Sequence, residues 1–109
     1  MRTLRFIVDN QIIRQDPYCD FDNLTPGSEE HIKAEFVFTK DWDGFDKVVA
    51  FYNNLGRELG AKALIGSRSC YIPSAALKQS VFKIQVIGAK NDVKLRTNKV
   101  EVHQKGGNV

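Results

Sequence analysis

The chain alternates apolar and polar side chains over much of its length, a pattern typical of β-strands that bury one face. The first alternation covers residues 3–8, and Asp9 and Asn10 separate it from a short apolar run at residues 11–14. Two strand-like runs on either side of a pair of turn formers predict a β-hairpin. The N-terminal segment is therefore expected to begin a sheet.

Further strand-like runs follow, each bounded by residues that favour turns. They cover residues 32–38, 47–53, 61–65, 68–72, 81–87 and 93–95, with a last one around Val100 and Val102.

Two local signals refine this pattern. Gly66 and Ser67 are a Gly-first pair of the kind preferred in a two-residue type II′ turn, so the runs on either side of them are expected to form a hairpin. Pro73 ends the second of these runs because it has no amide hydrogen for a strand ladder. Residues 74–78 are then expected to form about one helical turn.

About seven or eight short strands separated by turns predict an all-β fold, an antiparallel β-sandwich of immunoglobulin-like or similar type. We expect a single domain over residues 1–104 and a flexible tail or linker start at residues 105–109. The aromatic residues at strand positions that point inward are expected to form the core; they are Phe6, Phe36, Phe38, Phe51 and Phe82.

Composition agrees with a globular protein that is made and folded in a cytosol. Hydrophobic residues make up 42% of the chain and charged residues 27%, ordinary values for this class. No apolar run approaches the roughly 20 residues of a membrane span, and the N-terminal apolar stretch is too short for a signal peptide. Cys19 and Cys70 are expected to remain thiols in such a compartment.

The net charge of +3 conceals an asymmetry between the two halves of the chain. Residues 1–46 carry five Lys/Arg against ten Asp/Glu, whereas residues 47–109 carry eleven against three. Without a dense basic run, this is a poor pattern for nucleic-acid binding. The basic residues on strand-like segments are expected on solvated sheet faces; they are Lys83, Lys94, Arg96 and Lys99. Opposite charge on the two halves also favours docking between unlike surfaces.

No arrangement of residues points to catalysis. His31 and His103 are the histidines of the chain, and both are expected at solvated strand ends. The sequence contains no phosphate-binding loop, nucleophile elbow or dinucleotide fingerprint. We therefore expect a protein that is not an enzyme and that binds no cofactor, metal, nucleic acid or membrane.

An acidic turn at residues 41–46 is the sharpest local motif. Asp41 and Asp43, followed by Gly44, resemble the beginning of a calcium loop, but the later ligands of such a loop do not follow. The alternative is a tight turn in which aspartates bond local backbone amides, while Trp42 and Phe45 fill one end of the sandwich. We predict the structural turn.

Residues 15–30 form a long connection that is rich in acids and turn formers. It also carries Tyr18, Phe21 and Leu24, apolar residues that a solvated loop does not require. Such residues either fold back as a lid over the core or serve as anchors for a partner. Together with Asp20 and Asp22, they are the candidate partner-binding residues of the chain.

Several segments, taken in order, carry a resemblance to a known family. They are MRTLRF at 1–6, KAEFVFTKDWDGFDK at 33–47, YIP at 71–73 with AL at 76–77, FKIQVIG at 82–88 and RTNKVEV at 96–102. This order resembles the N-terminal domain of the baseplate upper protein family and related tail proteins of phages and prophages of Gram-positive bacteria. The Trp-Asp-Gly turn is its most specific element.

The resemblance implies a β-sandwich that attaches a fibre or receptor-binding module to the phage tail, with no catalytic residues to carry over. The loop at residues 15–30 departs from the family pattern in being longer and more acidic. Family members continue past this domain, so two expectations follow. The first is a virion structural domain, a fragment of a longer protein, that docks on another tail or baseplate protein. The alternative is a stand-alone phage protein in the host cytoplasm that blocks a host defence protein. Either form is compatible with a homo-oligomer.

Overall fold

The structure is a computed structural model that describes residues 2–24, 26, 32–64, 66 and 68–104. Within these residues, nine strands, one short α-helix and a 3-10 helix at Lys40–Trp42 follow one another along the chain. The strands and the α-helix are β1 (Arg2–Asp9), β2 (Ile12–Gln15), β3 (Ile32–Phe38), β4 (Asp46–Asn53), β5 (Glu58–Ala63), β6 (Ser69–Tyr71), α1 (Ser74–Leu77), β7 (Val81–Lys90), β8 (Val93–Arg96) and β9 (Val100–His103).

The strands form two sheets, which confirms the predicted all-β sandwich. The first sheet has the order β2-β1-β3-β6, and the second has the order β5-β4-β7. Both β8 and β9 pair with the edge of β7 that faces away from β4. The described part of the chain thus has nine strands, more than the seven or eight expected.

One strand pair departs from the expected antiparallel arrangement. β1 and β3 run parallel, with Phe6 opposite Phe36, whereas the other paired strands are antiparallel. Parallel neighbours need a long connection that returns the chain to the starting end of the first strand. The long segment after β2 makes this return possible, so the predicted antiparallel sandwich contains one parallel strand pair.

The hairpin expected around Gly66 and Ser67 was also wrong. β5 pairs with β4 in the second sheet, whereas β6 pairs with β3 in the first. Gly66 does adopt a positive φ of 59°, while Ser67 lies outside the described residues. Alternation identified two strands here, but it carries no information about which neighbour each strand pairs with.

The core lies between the sheets and is dominated by aromatic rings. Phe6, Phe36, Phe51 and Phe82 are fully buried, as predicted. Phe38 was expected among them but is only partly buried. It lies near the end of the sandwich, where one side of its ring packs against Trp42 and the Lys47 ammonium stands 5.1 Å from the ring centroid.

Asn98 links the second sheet to the first at one side of the sandwich. It lies in the connection between β8 and β9, and its side-chain oxygen accepts a hydrogen bond from the Ile13 amide at 2.8 Å. Its side-chain nitrogen donates to the Ile13 carbonyl at 3.2 Å. One amide side chain thus satisfies both backbone groups of a residue on β2, as a neighbouring strand would.

The predicted helical turn is confirmed as α1, which has four residues. Among the described residues, no helix combines the length and apolar character needed to cross a membrane. The tail expected at residues 105–109 lies outside the part of the chain that the structure describes.

Candidate binding surfaces

The segment after β2 continues along the edge of β1 instead of leaving the sandwich. The Asp16 amide donates to the Arg5 carbonyl at 3.0 Å, and the buried Asp16 carboxylate accepts from the Tyr18 amide at 2.9 Å. Further on, the amide of Arg5 donates to Cys19 Sγ at 3.3 Å. The first part of the long connection is therefore an ordered extension of the first sheet.

Two arginines of β1 hold this segment in place. Arg5 lies 3.0 Å from the Glu35 carboxylate and 3.6 Å from that of Asp16, and hydrogen bonding to Glu35 is the main cause that raises the pKa of Arg5. Arg2 donates to the carbonyl oxygens of Asp20 and Asp22. Because one guanidinium carries several donors in a fixed plane, Arg2 can bind both carbonyl oxygens at once.

Some apolar residues of this segment cover the core, as a lid would, and one is exposed, as an anchor for a partner would be. Leu24 is buried, with 3% of its surface exposed, and Phe21 packs edge-on against Phe6 with 5.3 Å between ring centroids. These two residues form a lid over the core. Tyr18 is 95% exposed, so its ring lies in solvent and is not part of this lid.

We use the name acidic segment for residues 16–24. Asp20 and Asp22 are exposed on it, and the Asp22 amide donates to the Asp20 carboxylate at 2.8 Å. Glu29 and Glu30, acids of the same predicted loop, lie outside the described residues. The acidic segment therefore presents Tyr18 together with two carboxylates.

The acidic turn closes the opposite end of the core. Trp42 is fully buried, and its indole nitrogen donates to the Asn10 carbonyl at 2.7 Å. Phe45 packs beside it, with 6.0 Å between ring centroids, and Gly44 takes a φ of 79° that suits glycine. The placement predicted for these aromatic residues agrees with the structure.

The polar groups of this turn are bonded differently from the prediction. Asp41 accepts a hydrogen bond from the Thr39 hydroxyl at 2.9 Å, so its partner is a side chain and not a backbone amide. Asp43 is exposed, and the Lys90 ammonium lies 3.4 Å from its carbonyl oxygen. In the described ranges, no three His, Cys, Asp or Glu side chains stand close enough together to hold a metal ion.

The remaining residues singled out for chemistry lie apart from one another. His103 is exposed at the end of β9, and its ring nitrogen lies 3.1 Å from the Glu101 carboxylate. His31 lies outside the described residues. Cys19 and Cys70 are free thiols; Cys70 is buried in the core and Cys19 is half-buried.

A surface that the sequence reasoning missed covers the outer side of the second sheet. Val49 and Val86 point into the core, so their neighbours on β4 and β7 point outward. Cross-strand pairing then brings together a set of small or branched apolar side chains, which are Val48, Ala61, Ala63, Ile87 and Ala89. We call this set the second-sheet face.

Val48 and the three alanines of the second-sheet face are exposed, and Ile87 is half-buried. Basic side chains border the face on the side of β8, whereas the exposed Asp46 stands opposite Ala89 on β4. Arg96 stands opposite Ile87 and Lys94 opposite Ala89, so both point to the same side of the sheet as those apolar residues. This face is difficult to recognise in the sequence, because alanine is neither a strong strand former nor a typical interface residue.

Lys99 and Tyr52 extend the basic border. The Lys99 ammonium stands 4.1 Å from the centroid of the Tyr52 ring, and the Tyr52 hydroxyl donates to Gln85 at 2.9 Å. Burial is the main cause that raises the pKa of Tyr52, and the charge of Glu58 raises it further, whereas Arg96 lowers it. Charges of both signs therefore lie around Tyr52.

The charge asymmetry of the sequence does not divide the two sheets. Strands β1–β3 of the first sheet carry four Lys/Arg against two Asp/Glu. The strands of the second sheet carry six Lys/Arg against three Asp/Glu. The described acids that make residues 1–46 negative lie mostly outside the strands, in the acidic segment and the acidic turn.

No model of a known protein family matches this chain, and no curated protein matches it significantly.

Proposed function

We propose that this protein is a structural domain of a phage tail or baseplate, which docks on another virion protein and performs no chemistry. The observation that carries the proposal is the presence of two exposed surfaces of different chemistry on one sandwich. The acidic segment offers Tyr18 with carboxylates, and the second-sheet face offers apolar side chains beside Lys94 and Arg96. A domain with two unlike surfaces can join two proteins.

The sequence resemblance to the baseplate upper protein family supports the location in the tail. Its most specific segment, the Trp-Asp-Gly turn, contributes the ring that closes the core, with Trp42 fully buried. A role for Asn98 in the last matching segment is equally structural, since its side chain holds β2. The segments that carry the resemblance therefore include residues that hold the sandwich together, as expected for sequences that share a fold.

Purified particles of a phage or an induced prophage that encodes the chain test this proposal. We expect quantitative mass spectrometry to find the chain in gradient-purified particles, in a fixed ratio to the major tail proteins. Deletion of the gene should yield particles with incomplete tails. A deletion phage with intact tails, together with a chain found only in the soluble fraction bound to a host protein, would contradict the virion role and favour the inhibitor alternative.

A further inference from the structure

We infer that the second-sheet face of one copy of this protein binds the acidic segment of a second copy, so that copies associate head to tail. The inference concerns the purified chain alone and does not depend on the proposed location in the tail. It follows from the chemistry of the two surfaces and from their positions on the sandwich.

Charge indicates which surface fits the β8 side of the second-sheet face. Lys94 and Arg96 stand there, with Lys99 close by over Tyr52, while Asp46 lies opposite Ala89 on β4. The two basic side chains on β8 fit a surface with an exposed carboxylate, because opposite charges across an interface favour the encounter of the two surfaces.

The acidic segment has the complementary chemistry. Tyr18 is 95% exposed, and Asp20 and Asp22 are exposed on the same short segment. An exposed tyrosine is a typical anchor in protein interfaces, because it buries a large rigid surface at a low cost in conformational entropy. The Asp20 carboxylate already lies 3.8 Å from the Arg2 guanidinium, whereas the Asp22 carboxylate can form charge-assisted hydrogen bonds with arginine or lysine of a partner.

The shape of the second-sheet face suits such an anchor. Ala61, Ala63 and Ala89 have short side chains, so an incoming ring can approach the sheet closely. Val48 and Ile87, which stand opposite each other on β4 and β7, provide apolar surface for the ring to contact. The acidic segment runs along β1 in the first sheet, whereas this face belongs to the second sheet. One copy can thus use both surfaces, each with a different neighbour.

An association between unlike surfaces produces a closed ring if successive copies return to the first copy, and an open chain of copies if they do not. In both cases the strength of the association depends on the salt concentration. Raising the salt concentration from about 0.01 M to about 1 M shortens the screening length from about 30 Å to about 3 Å. The wild-type protein should therefore associate in low salt and dissociate in high salt.

Two variants, each with one surface removed, test the inference. The face variant is Lys94→Glu with Arg96→Glu, and the segment variant is Tyr18→Ala with Asp22→Asn. Each change should weaken self-association at least about tenfold, as expected for the loss of an interfacial anchor or of charge pairs. Sedimentation velocity measures the association, and near-UV circular dichroism checks that each variant keeps the wild-type fold.

Matched controls change similar residues outside both surfaces. Arg57→Glu with Lys78→Glu has the same change in charge as the face variant, and both residues are exposed. Leu55→Ala with Asp92→Asn matches the segment variant, because Leu55 is 92% exposed and Asp92 is exposed. Both controls should associate like the wild type.

Mixing the two variants gives the decisive measurement. The face variant retains its acidic segment and the segment variant retains its face, so one copy of each can still bind the other. The mixture should form a one-to-one dimer of twice the 12.3 kDa monomer mass and nothing larger. A mixture that stays monomeric would overturn the inference, as would a wild-type protein that is monomeric in low salt at every concentration up to about 1 mM, where even weak contacts populate a complex.

The outcome separates this inference from the proposed function. A monomeric chain that is found in purified particles would leave the tail role intact and refute self-association. A chain that associates head to tail but is absent from particles would refute the tail role and leave self-association intact.

Discussion

The indole ring of Trp42 lies so close to the backbone of Gly88 that a β-carbon at position 88 would fall 2.6 Å from Cζ3 of the ring. Gly88 occupies an inward position on β7, two residues after the buried Val86. An apolar side chain would be expected there from the alternation of the strand. Glycine instead leaves the space that the tryptophan fills.

Substitution of Gly88 by alanine should therefore destabilise the protein. We expect Gly88→Ala to lower the free energy of unfolding by about 1–3 kcal/mol, the usual cost of overpacking a core. Urea denaturation followed by far-UV circular dichroism measures the change. The control is the same substitution in a Trp42→Phe background, where the smaller ring leaves room for the methyl group. An equal cost in the two backgrounds would show that the indole is not the obstacle.

Loss of the Asn98 side chain should loosen β2. Asn98→Ala leaves the amide and carbonyl of Ile13 without their partners, at an expected cost of about 1–3 kcal/mol. The specific readout is hydrogen exchange, which should accelerate at the Ile13 amide. Asn54→Ala, in an exposed turn, serves as the control and should change neither quantity. Unchanged protection of Ile13 in Asn98→Ala would contradict the proposed link between the sheets.

Single substitutions in the acidic segment should separate the lid from the exposed anchor. Phe21→Ala should destabilise the protein by about 1–3 kcal/mol, less than the about 3–5 kcal/mol typical of a fully buried ring, because Phe21 is only partly buried. Tyr18→Ala should change stability by less than about 0.5 kcal/mol because the ring is in solvent. Thermal or urea unfolding decides, and the opposite ranking would refute the described placement of the two rings.

The buried thiol of Cys70 should make stability fall at high pH. Burial raises the pKa of Cys70 from its ordinary value of 9.0 to about 11. As pH rises, the thiol of the unfolded chain ionises first, so the unfolded state binds fewer protons than the folded state. Stability is then lost between about pH 9 and pH 11.

Comparison of variants isolates this contribution from other groups that ionise in the same range. The decrease in melting temperature between pH 9 and pH 11 should be smaller in Cys70→Ala than in the wild type. Cys19→Ser, at the half-buried cysteine, is the control and should keep the wild-type decrease. Identical pH profiles for all three proteins would mean that Cys70 ionises equally easily in both states.

The sequence by itself determined the class of fold and most of the positions that point inward. Period-two alternation depends only on the geometry of the extended chain, so it placed Phe36, Phe51 and Phe82 in the core without knowledge of their neighbours. It also located the turn after β1, where Asn10 adopts a positive φ of 54°. These are local properties, and local chemistry specifies them.

Strand pairing was decided only by the tertiary structure. The partner of a strand depends on which edges and apolar surfaces are available once the chain has collapsed, and these lie far apart in sequence. For this reason β6 joins β3 instead of β5, and β1 lies parallel to β3. The same holds for the candidate surfaces. The sequence could list Tyr18, Phe21 and Leu24 as equivalent, whereas only the folded structure shows which of them reaches the solvent, because burial depends on the sheets that close over each side chain.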